Sequence, residues 1–188
     1  MKKLIIIPAY NESACIEATV RDIMKNAPGF DYVIINDCST DNTKEICEKN
    51  GFNIVNLPAN LGIGGAVKAG YRYALEHGYD FALQVDGDGQ HNPQFLYEME
   101  EYLNAHDADM VIGSRFIKNE GFQSSWIRRI GIGYFTWLIK LCTGRIITDP
   151  TSGFRLLGKK VIELFADRYP MDYPEPESIV IALNHNCN

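Results

Sequence analysis

The 188-residue sequence has no basic excess, no paired-cysteine framework and no long apolar run. Eighteen Lys and Arg face 24 Asp and Glu, for a formal net charge of −6 and a pI of about 5.2. That balance argues against a general nucleic-acid binder, whose footprint is basic. The five cysteines (Cys15, Cys38, Cys47, Cys142 and Cys187) are odd in number, scattered and without a CxxC pair. Reduced thiols are therefore expected, not a disulfide scaffold or a cysteine metal cluster. The N-terminal MKKLIIIPAYNE sets two lysines before an apolar run, but Pro8 closes that run too soon for a secretory signal. Nothing reaches the roughly 18 apolar residues of a membrane span, so a cytoplasmic chain is expected. Repeats and low-complexity tracts are missing too. The length suits one domain, and such a chain can bury roughly 70% of its unfolded surface without a disulfide or structural metal.

What is present is a regular alternation. Short apolar runs at Lys3–Ile7, Tyr32–Asn36, Asn53–Leu57, Phe81–Val85 and Met110–Ile112 are flanked by Gly, Pro, Asn or Asp, as strands are. Their continuous apolar character fits strands covered on both faces. Between them, Ser13–Asn26, a segment capped by Thr40 or Asp41 and running through Lys49, Ile63–His77 and Pro93–Asn104 carry helical spacing. The pattern predicts an α/β fold: an open, mostly parallel twisted sheet with helices on both faces. Ligands then bind at the carboxyl ends of the strands. After Arg115 the pattern changes. Ser124–Thr143 reads as one long helix or two short ones, a Gly/Thr/Pro-rich loop follows, and a short helix lies near Lys159–Phe165. The tail IALNHNCN reads as helix to its end.

The chemistry-bearing residues sit where strands end. Asp86-Gly87-Asp88-Gly89-Gln90-His91 follows FALQV. It reads either as a turn, since Asp and Gly build turns, or as a carboxylate pair for a hard cation bridging to phosphate. It lacks the twelve-residue calcium-loop pattern ending in Glu. His91 is either an outer partner of that site or a helix-entry residue. Asp37-Cys38-Ser39-Thr40-Asp41 follows YVIIN, so a second acidic, hydroxyl-rich cluster shares the edge. One of its members can cap the next helix, while Asp37 is either a structural acceptor or a ligand for a base N–H or ribose hydroxyl. Pro8-Ala9-Tyr10-Asn11-Glu12 offers a flat ring and a carboxylate suited to a nucleoside, or simply a strand–turn–helix junction. The loop Asn60–Gly65 could present N–H groups to phosphate, but it is a poor dinucleotide fingerprint, with Val67 where the third glycine belongs.

Taken in order, PAYNE, DCSTD, NLGIGGA, VDGDGQH, Gly113-Ser114-Arg115 and Asp149-Pro150-Thr151-Ser152-Gly153-Phe154-Arg155 resemble family 2 glycosyltransferases of the GT-A fold. The polyprenyl-phosphate mannosyltransferase-like branch is the nearest in pattern, from about Lys3 to Glu177. The resemblance implies one catalytic domain over 1–188, with a nucleotide-sugar-binding half (1–115) and an acceptor half (116–188) cut short at Asn188. It implies that Pro8, Ala9, Tyr10, Glu12, Asp37, Gly64, Lys68 and Asp86 bind the donor. Asp86, Asp88 and Gln90 would hold Mg²⁺ or Mn²⁺. Asp88, Arg115, Arg155 and Glu177 would act in catalysis, the arginines facing phosphate or acceptor, with Glu175 a rival for the place of Glu177.

The activity implied is inverting transfer from a UDP- or GDP-sugar to a polyprenyl phosphate or a glycan hydroxyl, at the inner face of the cell membrane if the acceptor is a lipid. A hydroxyl acceptor needs a base, for which Glu177 is the candidate; an ionised lipid phosphate needs none. The 124–145 segment, with Arg128 and Arg129 beside Trp126 and Trp137, reads either as a core helix with a solvated edge or as a membrane-surface contact. Nucleotidyl transfer would require a basic, Gly-rich loop after the first strand, and PAYNE is not one. A non-catalytic nucleotide-sugar-binding domain could omit Asp86, Asp88 and Gln90, which are present here.

Overall fold

The computed structural model describes residues 1–85, 95–113, 126–172 and 174–188, with only the backbone for 126–130. Its centre is a six-stranded sheet in the order β3-β2-β1-β4-β6-β5. Strands β1 (Lys3–Ala9), β2 (Asp31–Asn36), β3 (Ile54–Asn56) and β4 (Phe81–Gln84) are mutually parallel. Leu4 to Ile7 and Val33 to Ile35 are fully buried, as continuous apolar strands covered on both faces must be. Strand β5 (Met110–Ile112) closes the edge. Strand β6 (Arg155–Gly158) lies between β4 and β5 and runs antiparallel to both.

β6 corrects the sequence reading, which had a loop there. Its four residues are too few to show a period, and an arginine heads them.

The helices divide between the two faces. α1 (Ile16–Asn26), α2 (Thr43–Lys49) and α4 (Phe95–Ala105) cover the side of Ile5, Ile7 and Leu83. α3 (Gly62–Glu76), α6 (Lys159–Arg168) and α7 (Pro174–Asn184) cover the side of Leu4, Ile6 and Ala82. α1 buries Ile16, Val20 and Ile23, the i, i+4, i+7 stripe of an amphipathic helix; burying one such aliphatic side chain stabilises by roughly 1.5–3 kcal/mol. Gly70 lets α3 lie against β1, because a Cβ there would overlap the Ile6 side chain. α2 stops at Gly51, whose φ of 67° brings its N–H to Glu48 O (3.1 Å) while Phe52 N–H reaches Cys47 O (3.0 Å). This is the paired closure that a left-handed C′ glycine permits. α5 (Trp126–Thr143) is a single helix that packs against α7.

The tail does not stay helical. α7 ends at Asn184, Asn186 takes a φ of 56°, and Cys187 N–H turns back to Ala182 O at 3.0 Å. Asn188 O then accepts Asp109 N–H (2.8 Å) and Met110 N–H (3.0 Å) at the start of β5.

Pro8 is placed where the sheet divides. Ile6 pairs with Gln84, and Ile6 O accepts Val85 N–H at 3.0 Å. The next rung towards β4 would need an N–H from residue 8, which proline lacks. β1 continues towards β2 only, with Ala9 O accepting Asp37 N–H at 2.9 Å. Pairing between β1 and β4 therefore stops here. That is also where the strand order changes direction, the place at which open α/β sheets bind ligands.

Candidate functional site

The ends of β1 and β2, on one side of this switch point, are joined by side chains bonding to backbone. Asn11 has a φ of 57°, a left-handed conformation that asparagine tolerates. Its N–H donates to Ser39 Oγ (3.0 Å), that of Glu12 to Thr43 Oγ1 (2.9 Å) and that of Ser13 to Asp41 Oδ2 (3.1 Å). In return Asn11 Oδ1 accepts Thr40 N–H at 2.8 Å. Asp41 Oδ1 accepts Thr43 N–H (3.0 Å) and the Thr43 hydroxyl in the first turn of α2. Burial works against the Asp41 charge, but the bonds from Thr43 and Ser13 outweigh it and push its pKa down to about 2.

Most of the DCSTD cluster thus holds two turns together. Asp37 is the exception. It is 2% exposed, and its Oδ1 accepts Leu61 N–H at 2.7 Å while its main-chain oxygen accepts Asn60 Nδ2 at 3.2 Å. Its Oδ2 has no hydrogen-bond partner among the described residues. Pro8 and Ala9 are buried, and Tyr10 is 47% exposed. Glu12 is half-buried, with Oε2 accepting the Cys15 thiol at 2.9 Å. The structure therefore gathers Pro8, Ala9, Tyr10, Glu12 and Asp37 at one edge. β4 delivers the chain to the same edge at Val85, directly before the DGDGQH sequence.

Asp86, Asp88, Gln90, His91 and Arg115 lie outside the described residues. Among the described residues no group of three His, Cys, Asp or Glu side chains is placed to hold a metal ion. The donor set expected from the sequence, two carboxylates and an amide oxygen, is of the hard-oxygen kind that Mg²⁺ and Mn²⁺ take.

Two expectations need correction. Gly64 does not open towards a phosphate: it is buried where the backbone of Pro170 and Met171 crosses α3, and a Cβ would overlap both carbonyl oxygens. The neighbouring Gly62 N–H is already directed to Asn60 Oδ1 at 3.2 Å. Lys68 is half-buried further along α3.

Arg155 does not face solvent either. It is 1% exposed, and its guanidinium donates to Ser152 O (Nε, 2.7 Å), Ser178 Oγ (Nη1, 2.6 Å) and Pro150 O (Nη2, 3.0 Å). Burial pulls its pKa down, opposed by Tyr169, Tyr71, Glu175 and Asp149 around it. Ser152 Oγ donates to Gly113 O at 2.7 Å, which ties the same loop to the end of β5. The sequence reading quoted the DPTSGFR motif but missed Ser152 and Ser178; the signal for Ser152 was a run of small polar residues ahead of a charged one, and Ser178 had none.

On α7, Glu175 is half-buried near Arg155 and Glu177 is exposed. The adjoining α5 buries Ile132 and Ile139 on one face. On the other, Tyr134, Trp137 and Leu141 recur at i, i+3, i+7 and are each more than half exposed. Beside Trp137 runs a groove of about 520 Å³ between α5 and residues 146–148, with Ile132 and Ile146 as apolar walls and Thr136, Lys140 and Thr148 as polar ones. Among the described residues no helix is long and apolar enough to cross a membrane, and all five cysteines are free.

A mixed α/β sheet of this order, with its switch point between β1 and β4, is the GT-A fold. Residues 4–165 match Glycosyl transferase family 2, and the chain belongs to that family. It is 32% identical over 188 residues to an uncharacterized protein of Methanocaldococcus jannaschii, covering 96% of this chain and 75% of that protein. It is 33% identical over 162 residues to the undecaprenyl-phosphate mannosyltransferase of Micrococcus luteus, covering 82% of this chain and 65% of that enzyme. In fold it resembles glucosyl-3-phosphoglycerate synthase from Mycobacterium tuberculosis, solved with Mn²⁺, UDP-glucose and phosphoglyceric acid. The TM-score is 0.74 at 18% identity, over 98% of this chain and 65% of that one.

Proposed function

We propose that this chain transfers a sugar from a UDP- or GDP-sugar to a polyprenyl phosphate, with inversion at the anomeric carbon. The observation that supports this most is the strand-end edge at the β1–β4 switch point, which carries Tyr10 and the buried Asp37 and at which β4 ends directly before the Asp86–Gln90 sequence. The mannosyltransferase relative points to the lipid-phosphate acceptor.

In this reading Tyr10 stacks on the base, and Asp37 Oδ2 accepts a base N–H or a ribose hydroxyl. Asp86, Asp88 and Gln90 hold the divalent cation, which when bound neutralises charge developing on the departing nucleoside diphosphate. Pro8 keeps β1 and β4 apart so that the donor has room. Arg115 faces the phosphates. The acceptor oxygen attacks from the opposite side, so the bond from the anomeric carbon to the diphosphate breaks as the bond to the acceptor forms. A phosphate acceptor is already ionised and needs no base; with a glycan hydroxyl Glu177 or Glu175 takes the proton. The exposed face of α5, with Lys140 and Arg145 near it, rests on the membrane surface where the acceptor lies, and the groove beside Trp137 admits its apolar chain.

The test is to incubate the protein with labelled UDP- and GDP-sugars, Mn²⁺ and undecaprenyl phosphate in phospholipid vesicles. Labelled lipid formed from one donor, and absent without metal, is the expected result. Slow release of nucleoside diphosphate without labelled lipid would retain the donor site and discard the lipid acceptor. Neither product from a folded sample would remove the enzymatic reading.

A further inference from the structure

Arg155 is the only basic side chain buried among the described residues, and its three hydrogen bonds all go to neutral oxygens. Burying a cation is costly even with carboxylates near it, as Glu175 and Asp149 are near this one. Its location suggests what the charge and its fork-shaped donors do. In the sheet Arg155 pairs with Gln84, the last residue of β4, and with Ile112, the last of β5. The chain leaves those two strands towards Asp86 and towards Ser114-Arg115. Its guanidinium spans the 150–152 turn and reaches Ser178 in α7. Ser178 Oγ donates onward to Glu175 O at 3.1 Å, and the turn itself is fastened to Gly113 by Ser152.

We propose that Arg155 is a positioning residue for transfer: through Ser178 it fixes the first turn of α7, with Glu175 and Glu177, relative to the ends of β4 and β5. The inference rests on the glycosyltransferase reading for its consequence, but not for its geometry. Lysine cannot replace it, since a single ammonium lacks the planar fork that serves three acceptors in different directions. The Asp37 side of the switch point shares none of these bonds. Loss of Arg155 or Ser178 therefore affects transfer and leaves nucleotide binding alone.

The experiment uses Ser178→Ala, which removes only the α7 arm, with Arg155→Lys as the second variant. Nucleoside diphosphate affinity with Mn²⁺ is measured by titration calorimetry, kcat and acceptor KM by lipid transfer, and amide hydrogen exchange across α7 by mass spectrometry. For both variants the expected result is a nucleotide Kd within two-fold of wild type and a kcat per folded protein at least ten-fold lower. Exchange should quicken at least ten-fold in residues 175–179 and stay unchanged in α1 and α2. Wild-type kcat together with unchanged α7 exchange in Ser178→Ala would overturn the proposal, as would full rescue by Arg155→Lys. If wild-type protein transfers nothing, the fault lies with the functional reading, and the exchange data alone decide whether the latch exists.

Discussion

The β1–β2 end of the sheet and the β6–α7 end are held together by different means. At the first, Asn11, Ser39, Asp41 and Thr43 each bond a nearby turn, so the fastening is shared among neutral or surface-accessible groups in two adjacent loops. At the second, one buried guanidinium joins its own turn to a helix residue 23 positions further along the chain. Shared fastenings should fail by degrees, since each contributes about 1 kcal/mol. A single buried cation should fail at once, because its loss strands several buried acceptors together.

The largest effect expected lies between these ends. Asp88→Asn should lower metal-dependent transfer at least 100-fold, an activation cost of about 2.7 kcal/mol, with circular dichroism and melting temperature unchanged. Arg155→Met should come next, destabilising by about 3 kcal/mol in urea titrations because Ser178, Pro150 and Ser152 lose their donor. A loss under about 1 kcal/mol would erase the contrast between the two ends.

Asp41→Asn should cost about 1 kcal/mol at neutral pH, because the bonds from Ser13 and Thr43 lose their charged acceptor. Its folded pKa of about 2 lies below the unfolded 3.8. The contribution of its charge is therefore complete above pH 3.8 and is lost as pH falls towards about 2. Urea titrations across that window should show the mutant and wild-type stabilities converging. Smallest of all, Trp137→Ser should change stability by less than about 0.5 kcal/mol, since the ring is 58% exposed. It should nevertheless reduce binding to anionic phospholipid vesicles in a sedimentation assay. Unchanged vesicle binding would leave the α5 face without a membrane role.

The same contrast accounts for what the sequence made legible. Strands β1 to β5 and most helices announce themselves because each is a local pattern: an Ile/Val run, a 3.6-residue stripe, a closing glycine such as Gly51. The gathering of Tyr10 and Asp37 on one edge followed from knowing that both come after parallel strands. Strand β6 was not legible, for its four residues are ordered by β4 and β5 on either side and not by any period of their own. Nor was the inward turn of Arg155, which depends on Ser178, reached only once α7 folds back. Gly64 misled because a glycine serving close backbone approach looks, in sequence, like one facing a phosphate. The exposed apolar face of α5 was left open between core and membrane surface, since helical spacing shows that a face exists but not what covers it.

The most direct test of the central claim is a thermal-shift panel of UDP-, GDP- and dTDP-sugars, each with and without Mn²⁺, because a ligand bound only by the folded state raises its melting temperature. The account predicts a rise with UDP- or GDP-sugar that needs Mn²⁺ and disappears in Asp88→Asn. No shift with any nucleotide sugar from a well-folded sample, or an equal shift in Asp88→Asn, would contradict it.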